Sequence, residues 1–94
     1  MNYTYILECS DGTFYVGWTN NLKKRIKTHN QGKGARYTRG RTPVNLVYWE
    51  EYDSRSDAQK REITIKNYSR KEKERLINES RHGNNNGKSI DIIY

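Results

Sequence analysis

Two aromatic-rich runs near the start of the chain are separated by only three residues. Residues 3–9 (YTYILEC) and 13–18 (TFYVGW) are rich in aromatic and β-branched side chains, and Ser10, Asp11 and Gly12 lie between them. Runs of this kind around a short glycine-containing loop are typical of an antiparallel β-hairpin. The chain is therefore predicted to begin with a hairpin, and later elements have to cover the faces of its sheet.

The length of the loop decides which side chains share a face of that hairpin. Because side chains alternate along a strand, a shift of one residue in register moves a side chain to the opposite face. A two-residue turn would place Tyr5 and Tyr15 on opposite faces. A three-residue loop pairs Tyr5 with Gly17 and makes the two tyrosines diagonal neighbours on one face. Such loops usually end in a glycine with a left-handed backbone, and Gly12 occupies that position, so we predict the three-residue loop.

Helix and strand signals follow the hairpin. The Asn20-Asn21 pair offers an N-cap to the segment LKKRIKTHN, in which apolar residues recur at helical spacing. Residues 31–43 form a glycine-rich basic loop, and residues 44–52 (VNLVYWEEY) have the composition of a third strand.

Two capping boxes come next, Ser56 with Gln59 and Ser69 with Glu72, and each predicts the start of a helix. The predicted fold is α/β, with a small three-stranded antiparallel sheet flanked by helices in the order β-β-α-β-α-α. Residues 1–80 are predicted to form one domain. Residues 81–94 are predicted to be a polar, disordered tail because they begin with the low-complexity run RHGNNNGKS.

Positive charge is concentrated in one part of the chain. The net charge is +7, and no acidic residue lies between Asp11 and Glu50. Unbalanced cations repel one another, and binding to a polyanion relieves the repulsion, although a solvated basic face would give the same pattern. We interpret the stretch as a nucleic-acid contact surface, in which an aromatic ring adds a stacking platform. The predicted contact residues are Lys23, Lys24, Lys33, Arg36, Tyr37, Arg39 and Arg41.

Several classes of protein are disfavoured. A single cysteine, Cys9, forms no internal disulfide and fits a reducing cytoplasm. No run approaches the ~20 apolar residues of a membrane span, and the N-terminus has no signal-peptide pattern. We predict a cytoplasmic protein with no membrane partner.

Ionisable side chains lie on the predicted inward face of the first helix. Arg25 and His29 share that face with Leu22 and Ile26, at i, i+3, i+4 and i+7. Arg25 at the edge of the face and His29 as a satisfied interior histidine would be a purely structural explanation.

The next helix repeats the pattern with a carboxylate. Glu62 lies between Ala58 and Ile65 on the same face of the helix. A purely structural explanation is that Glu62 forms an ion pair at the edge of the packed face. Because buried charges are costly unless paired or used, the repeated pattern favours a functional site.

Phosphodiester hydrolysis is a reaction that such residues support. It requires a base to activate water and cationic groups to neutralise charge on the phosphoryl oxygens. Tyr5 or Tyr15 would serve as the base if Arg25 and a metal lowered its pKa. Glu62 is a hard oxygen donor suited to a single Mg²⁺ or Mn²⁺, and the forked Arg25 side chain fits a phosphate.

The two strands also resemble a known pair of motifs. Tyr3-Thr4-Tyr5 and Tyr15-Val16-Gly17 resemble the half-motifs that name the GIY-YIG nucleases, and the resemblance covers residues 3–78. The family includes phage homing endonucleases, restriction enzymes and the nuclease domain of the bacterial excision-repair incision protein. The segment from Gly17 to Arg25 resembles the family's continuation after the second half-motif. The segments that are similar to the small stand-alone bacterial members are His29-Asn30, Gly34-Ala35-Arg36-Tyr37-Thr38 and Arg61-Glu62.

The resemblance implies a role for each matching residue. Tyr5 and Tyr15 would be the active-site tyrosines, Arg25 the transition-state arginine, and His29 the residue that is His or Tyr across the family. Glu62 would be the single metal-binding carboxylate.

Two positions depart from the family pattern. Tyr3 replaces the glycine of the first half-motif. Trp18 stands where the repair enzymes carry a lysine beside the metal-bound waters, so another group must fill that role or none does.

We therefore predict a metal-dependent endonuclease that acts on nucleic acid, with DNA in repair or recombination as the expected setting. The alternative is a catalytically weak or inactive nucleic-acid-binding module that keeps the fold. A third hypothesis is an interaction domain that recruits repair proteins through the Tyr48–Tyr52 strand and the tail. The sequence leaves open the choice between DNA and RNA and the need for a protein partner.

Overall fold

The computed structural model describes residues 1–80, so the predicted tail at residues 81–94 lies outside the described part of the chain. The element order is β-β-α-β-α-α, as predicted. The elements are β1 (Asn2–Glu8), β2 (Phe14–Thr19), α1 (Leu22–Asn30), a 3₁₀ turn (Arg36–Thr38), β3 (Asn45–Tyr52), α2 (Arg55–Lys66) and α3 (Arg70–Glu79).

The three strands form one antiparallel sheet in the order β2-β1-β3. The hairpin has the predicted register, since Tyr5 pairs with Gly17. The backbone N–H of Cys9 donates to the carbonyl of Thr13 over 2.8 Å and closes a three-residue loop. Gly12 ends that loop with φ of 82°, the left-handed conformation that favours glycine. The three-residue loop is confirmed.

One face of the sheet packs against α1. Tyr5, Leu7 and Trp49 from the sheet form a buried cluster with Leu22 and Ile26 of the helix. Asn21 caps this helix as predicted, because its side-chain oxygen accepts from the N–H of Lys24 over 3.1 Å. The basic loop that follows α1 continues over the same face.

The opposite face packs against α2 and α3. Ile6 and Val16 of the sheet are buried there with Ile65 and Ile77 of the two helices. The buried Thr4 hydroxyl donates to the carbonyl of Ala58 over 2.7 Å and ties α2 to the central strand.

The predicted start of α2 is wrong, because the helix begins earlier in the chain. Ser54, not Ser56, is the N-cap, and its hydroxyl accepts from the N–H of Asp57 over 3.0 Å. Because β3 runs to Tyr52, only a short connection leads to the helix, and the earlier serine is the one that meets the first turn. The capping box of Ser69 with Glu72 is confirmed.

An ion pair fixes α2 on the outer strand β3. The guanidinium of Arg61 donates to both oxygens of Glu50, over 2.9 and 3.1 Å, and the hydroxyls of Tyr48 and Tyr52 donate to the same carboxylate. Burial raises the pKa of Glu50, but these hydrogen bonds outweigh it and hold the pKa below its usual value. These contacts of Glu50 hold in place the segment of α2 that carries Glu62.

Candidate active site

Tyr5 and His29 meet in the core between the sheet and α1. The Tyr5 hydroxyl lies 3.0 Å from Nε2 of His29, and neither residue is more than 1% exposed. The other ring nitrogen, Nδ1, lies 2.8 Å from the hydroxyl of Thr38, which is also buried. The predicted inward face of α1 is therefore correct at His29, and both nitrogens of the imidazole have partners.

Tyr15 completes an aromatic cluster at this end of the site. Its ring centroid lies 5.3 Å from that of His29 and 6.4 Å from that of Tyr5. Tyr37 of the 3₁₀ turn stacks on Tyr15 from the solvent side. The two ring centroids lie 6.2 Å apart, and the ring planes are inclined by 22°. Tyr15 is half-buried, whereas Tyr5 is fully buried, so Tyr15 is the one of the two that has access to solvent.

Two glycines make room for the cluster. A β-carbon at Gly17 would lie 2.6 Å from the Tyr5 hydroxyl, and one at Gly34 would lie 2.3 Å from Nδ1 of His29. Gly17 separates the two tyrosines on the paired strands, whereas Gly34 lets the basic loop run directly against the imidazole. Neither position tolerates a side chain without displacing a ring.

Burial dominates the electrostatics of Tyr5. It raises the pKa of Tyr5 well above the ordinary value, and the Arg25 guanidinium, which lowers this pKa, does not offset the effect. The charge of Glu62 raises the pKa further. Arg25 by itself therefore does not bring the pKa of Tyr5 below its ordinary value, because desolvation is the larger effect.

The same surroundings keep His29 neutral. Burial, with a smaller contribution from the positive charge of Arg25, lowers the pKa of His29 to about 4. Arg25 therefore acts on both members of the buried pair. The influence of Arg25 and Glu62 on Tyr5 places both charged groups within electrostatic range of the cluster.

Glu62 is the candidate metal ligand. Its side chain is 17% exposed, and its Oε2 lies 3.4 Å from Nζ of Lys66 one turn later. No group of three or more His, Cys, Asp or Glu suited to a metal occurs within residues 1–80. A single hard carboxylate fits Mg²⁺ or Mn²⁺, since Mg²⁺ keeps several waters and commonly takes one or two carboxylates plus substrate oxygens.

The basic loop is attached to the hairpin loop by Arg41. Its Nε donates to Asp11 over 2.9 Å, and its Nη1 donates to the carbonyl of Tyr37 over 2.8 Å. The guanidinium carbon also lies 4.1 Å from the centroid of the Tyr37 ring. Arg41 thus has a counter-charge and a structural role that the sequence did not indicate.

The other predicted contact residues lie on the surface. Within residues 1–80 they form no ion pair with a carboxylate, so their charges face solvent. They are Lys23 and Lys24 on α1 and Lys33, Arg36 and Arg39 on the loop.

Trp18, which departs from the pattern of the repair enzymes, lies on the opposite face of the sheet from Tyr15. It pairs with Thr4 across the hairpin, and the guanidinium carbon of Arg55 lies 5.1 Å from its ring centroid. Its side chain therefore packs beside α2.

The sequence did not predict four residues that contact the site residues. Thr38 and Gly34 contact His29, Asp11 binds Arg41, and Lys66 pairs with Glu62. Only Lys66 had a local signal, the i, i+4 spacing from Glu62 on one helix. The others act through contacts across nine, five and thirty residues, for which a sequence has no periodic pattern.

The structure combines a small sheet that carries two tyrosines on one face with an arginine and a histidine on the first helix and a glutamate on the second. This combination is that of a GIY-YIG-type domain. The sequence model of the GIY-YIG catalytic domain matches residues 1–76, and the chain belongs to this family.

The similar proteins are small bacterial and archaeal proteins of the UPF0213 group. A UPF0213 protein of Clostridium perfringens is 58% identical over 77 residues, which cover 82% of this chain and 83% of the relative. One of Halobacterium salinarum is 53% identical and is covered over its whole length.

Two solved structures have the same fold. The solution NMR structure of a UPF0213 protein from Bacillus halodurans is 48% identical and superposes with a TM-score of 0.54 over 83% of this chain and 84% of that one. A protein from E. faecalis is 39% identical, with a TM-score of 0.57 over 85% of each chain. In residues 1–80, no helix is long and apolar enough to cross a membrane.

Proposed function

We propose that the protein is a metal-dependent endonuclease that hydrolyses phosphodiester bonds in DNA during repair or recombination. Membership of the GIY-YIG family supports a nuclease-type function in general. The observation that carries the specific proposal is the meeting of Tyr5, Tyr15 and His29 in one cluster that the charges of Arg25 and Glu62 reach.

Tyr15 is the proposed base. A base must contact the attacking water, and Tyr15 is the half-buried tyrosine at the solvent side of the cluster. As a phenolate, the form that a nearby cation favours, Tyr15 would take a proton from the water as the water oxygen bonds to phosphorus, and the leaving oxygen would depart and take a proton from solvent. Tyr5 is unsuited to this step because it is buried and its raised pKa keeps it protonated.

Arg25 and Glu62 supply the charges that the reaction needs. The guanidinium of Arg25 binds a phosphoryl oxygen and stabilises the negative charge that develops there. Glu62 would hold the divalent ion, Mg²⁺ or Mn²⁺, which supplies Lewis-acid stabilisation when bound. Lys66 would have to release the carboxylate for this.

Substrate binding relies on the exposed cations. Lys33, Arg36 and Arg39 lie on the loop beside Tyr37, and Lys23 and Lys24 extend the surface along α1. Such a surface binds the phosphate backbone without sequence preference. The single cysteine fits a cytoplasmic location.

One observation favours the alternative of a binding module without cleavage. Lys66 neutralises Glu62 at 3.4 Å and so competes with a metal for the carboxylate. Both functions allow DNA binding, so binding does not distinguish them. They make opposite predictions for cleavage.

A cleavage assay separates them. The full chain is incubated with branched, nicked, flapped and single-stranded DNA and with matching RNA, in Mg²⁺ or Mn²⁺ and with a chelator. We expect metal-dependent cleavage of at least one DNA substrate that the chelator stops. Binding without cleavage in any metal would support the alternative.

A further inference from the structure

A chain of buried hydrogen bonds runs through His29. It begins at the carbonyl oxygen of Ala35, which lies 2.9 Å from the hydroxyl of Thr38. That hydroxyl lies 2.8 Å from Nδ1 of His29, and Nε2 of the same ring lies 3.0 Å from the hydroxyl of Tyr5. The chain thereby connects three elements, the 3₁₀ turn, α1 and β1.

The proton positions along this chain follow from its first link. A carbonyl oxygen only accepts, so the single hydroxyl proton of Thr38 must point to Ala35. The Thr38 oxygen is then the acceptor toward His29, and Nδ1 must carry the proton of the imidazole. With one proton on the neutral ring, Nε2 is left with a lone pair and accepts from Tyr5.

The last link decides what Tyr5 presents to the rest of the site. Because its proton points to His29, the lone pairs of its oxygen are free for a donor. Toward the rest of the site the Tyr5 oxygen is therefore an acceptor, in a region that the positive charge of Arg25 reaches.

We propose that Thr38 is a positioning residue, which fixes His29 in the Nδ1–H tautomer and thereby makes the Tyr5 hydroxyl a donor to His29 and an acceptor toward the rest of the site. The effect on cleavage rests on the proposed nuclease function, whereas the tautomer does not. Thr38 itself touches neither a substrate nor a reacting atom.

The opposite tautomer shows why the direction matters. With the proton on Nε2, His29 would donate to the Tyr5 oxygen, and the Thr38 hydroxyl would have to turn from the carbonyl of Ala35 to Nδ1. The Tyr5 proton would then point into the rest of the site and make the hydroxyl a donor there instead of an acceptor.

The variants Thr38→Val and Thr38→Ser test the proposal. Valine keeps the shape and removes the hydroxyl, whereas serine keeps the hydroxyl. Thr64→Val is the matched control, because the Thr64 hydroxyl also donates to a backbone carbonyl, that of Lys60 over 3.2 Å, on the helix across the sheet. Unfolding curves establish that each variant is folded.

The first measurement is the tautomer of His29, from two-bond ¹⁵N–¹H correlations of its imidazole ring. We expect a protonated Nδ1 and an unprotonated Nε2 in the wild type, in Thr38→Ser and in Thr64→Val. Thr38→Val should shift the ring to Nε2–H or to a mixture. A wild type with Nε2–H, or a Thr38→Val ring that stays Nδ1–H, would overturn the assignment.

The tautomer measurement needs no substrate, so it stands apart from the outcome of the cleavage assay.

Cleavage adds a second measurement if the wild type cuts one of the DNA substrates. Thr38→Val should then lower kcat roughly tenfold to a hundredfold with little change in KM, the size of effect seen when a metal-ligating residue loses its outer hydrogen-bond partner. Thr38→Ser should restore the rate. Equal rates for Thr38→Val and wild type would contradict the positioning role of Thr38.

Discussion

At Gly34 the backbone of the basic loop runs against the ring of His29. An added methyl group would lie 2.3 Å from Nδ1 and 2.8 Å from Cα of His29, so the imidazole has to move and lose its bonds to Tyr5 and Thr38. Gly34→Ala should therefore destabilise the protein by about 1–3 kcal/mol, as overpacked buried positions do, and abolish cleavage.

Gly40 offers a matched control for this substitution. A β-carbon there meets nothing within 4 Å, so Gly40→Ala should change the free energy of unfolding by less than about 0.5 kcal/mol. Urea unfolding of the two variants checks the difference. Equal stabilities would show that the loop yields without disturbing His29.

The burial of neutral His29 makes stability depend on pH. Its pKa falls from the ordinary histidine value of 6.5 to about 4 in the folded protein, so the unfolded chain binds the proton first as the pH falls. The stability that the neutral His29 contributes to the folded protein is present above pH 6.5 and is lost as the pH falls toward 4. Between about pH 7 and pH 5 the loss should be about 2 kcal/mol.

His29→Gln provides the comparison for that pH dependence. Carboxylates titrate in both proteins, so the difference between the two stability–pH curves isolates the imidazole. The difference should shrink over the same fall in pH. Parallel curves would mean that the histidine is as easily protonated in the folded protein as in the unfolded chain.

Among the elements, the hairpin was predictable and the start of α2 was not. The hairpin register depends on a local count of three loop residues and on Gly12, which are visible in the sequence. The start of α2 depends on where β3 ends. Ser54 and Ser56 both suit an N-cap, and only the short connection from the strand selects the first.

The positive charges of the basic loop were visible in the sequence, but their binding partners within the protein were not. Lys33 and Arg39 face solvent, whereas Arg41 is bound to Asp11. Neutralising Lys33 and Arg39 with glutamine should flatten the slope of log K against log salt for duplex DNA by about 1.8, at ~0.9 per phosphate contact.

A charge-matched pair on α3 controls for the change in net charge. Lys71→Gln with Arg75→Gln removes the same two charges from a helix on the opposite face of the sheet. Its slope should equal that of the wild type, measured with a chelator present. Equal flattening by both pairs would show that net charge, not the loop, sets DNA affinity.

For the whole molecule, the sequence predicted the layers and most of the residues that meet, but not how they act. Strand alternation and helix periodicity brought Tyr5, Tyr15 and His29 together. The proton on His29 depends on Thr38, and the pKa of Tyr5 depends on burial. Both are set by long-range packing, which no local pattern encodes.

The central claim is that one carboxylate on α2 supports metal-dependent cleavage, and paired substitutions test it most directly. Glu62 and Glu74 each form an i, i+4 ion pair on a helix, with Lys66 and Arg70. Glu62→Gln should lower the rate of Mg²⁺- or Mn²⁺-dependent DNA cleavage by at least about a hundredfold and leave DNA binding in chelator unchanged. Glu74→Gln should cut as the wild type does. Cleavage by Glu62→Gln at the wild-type rate would contradict the claim.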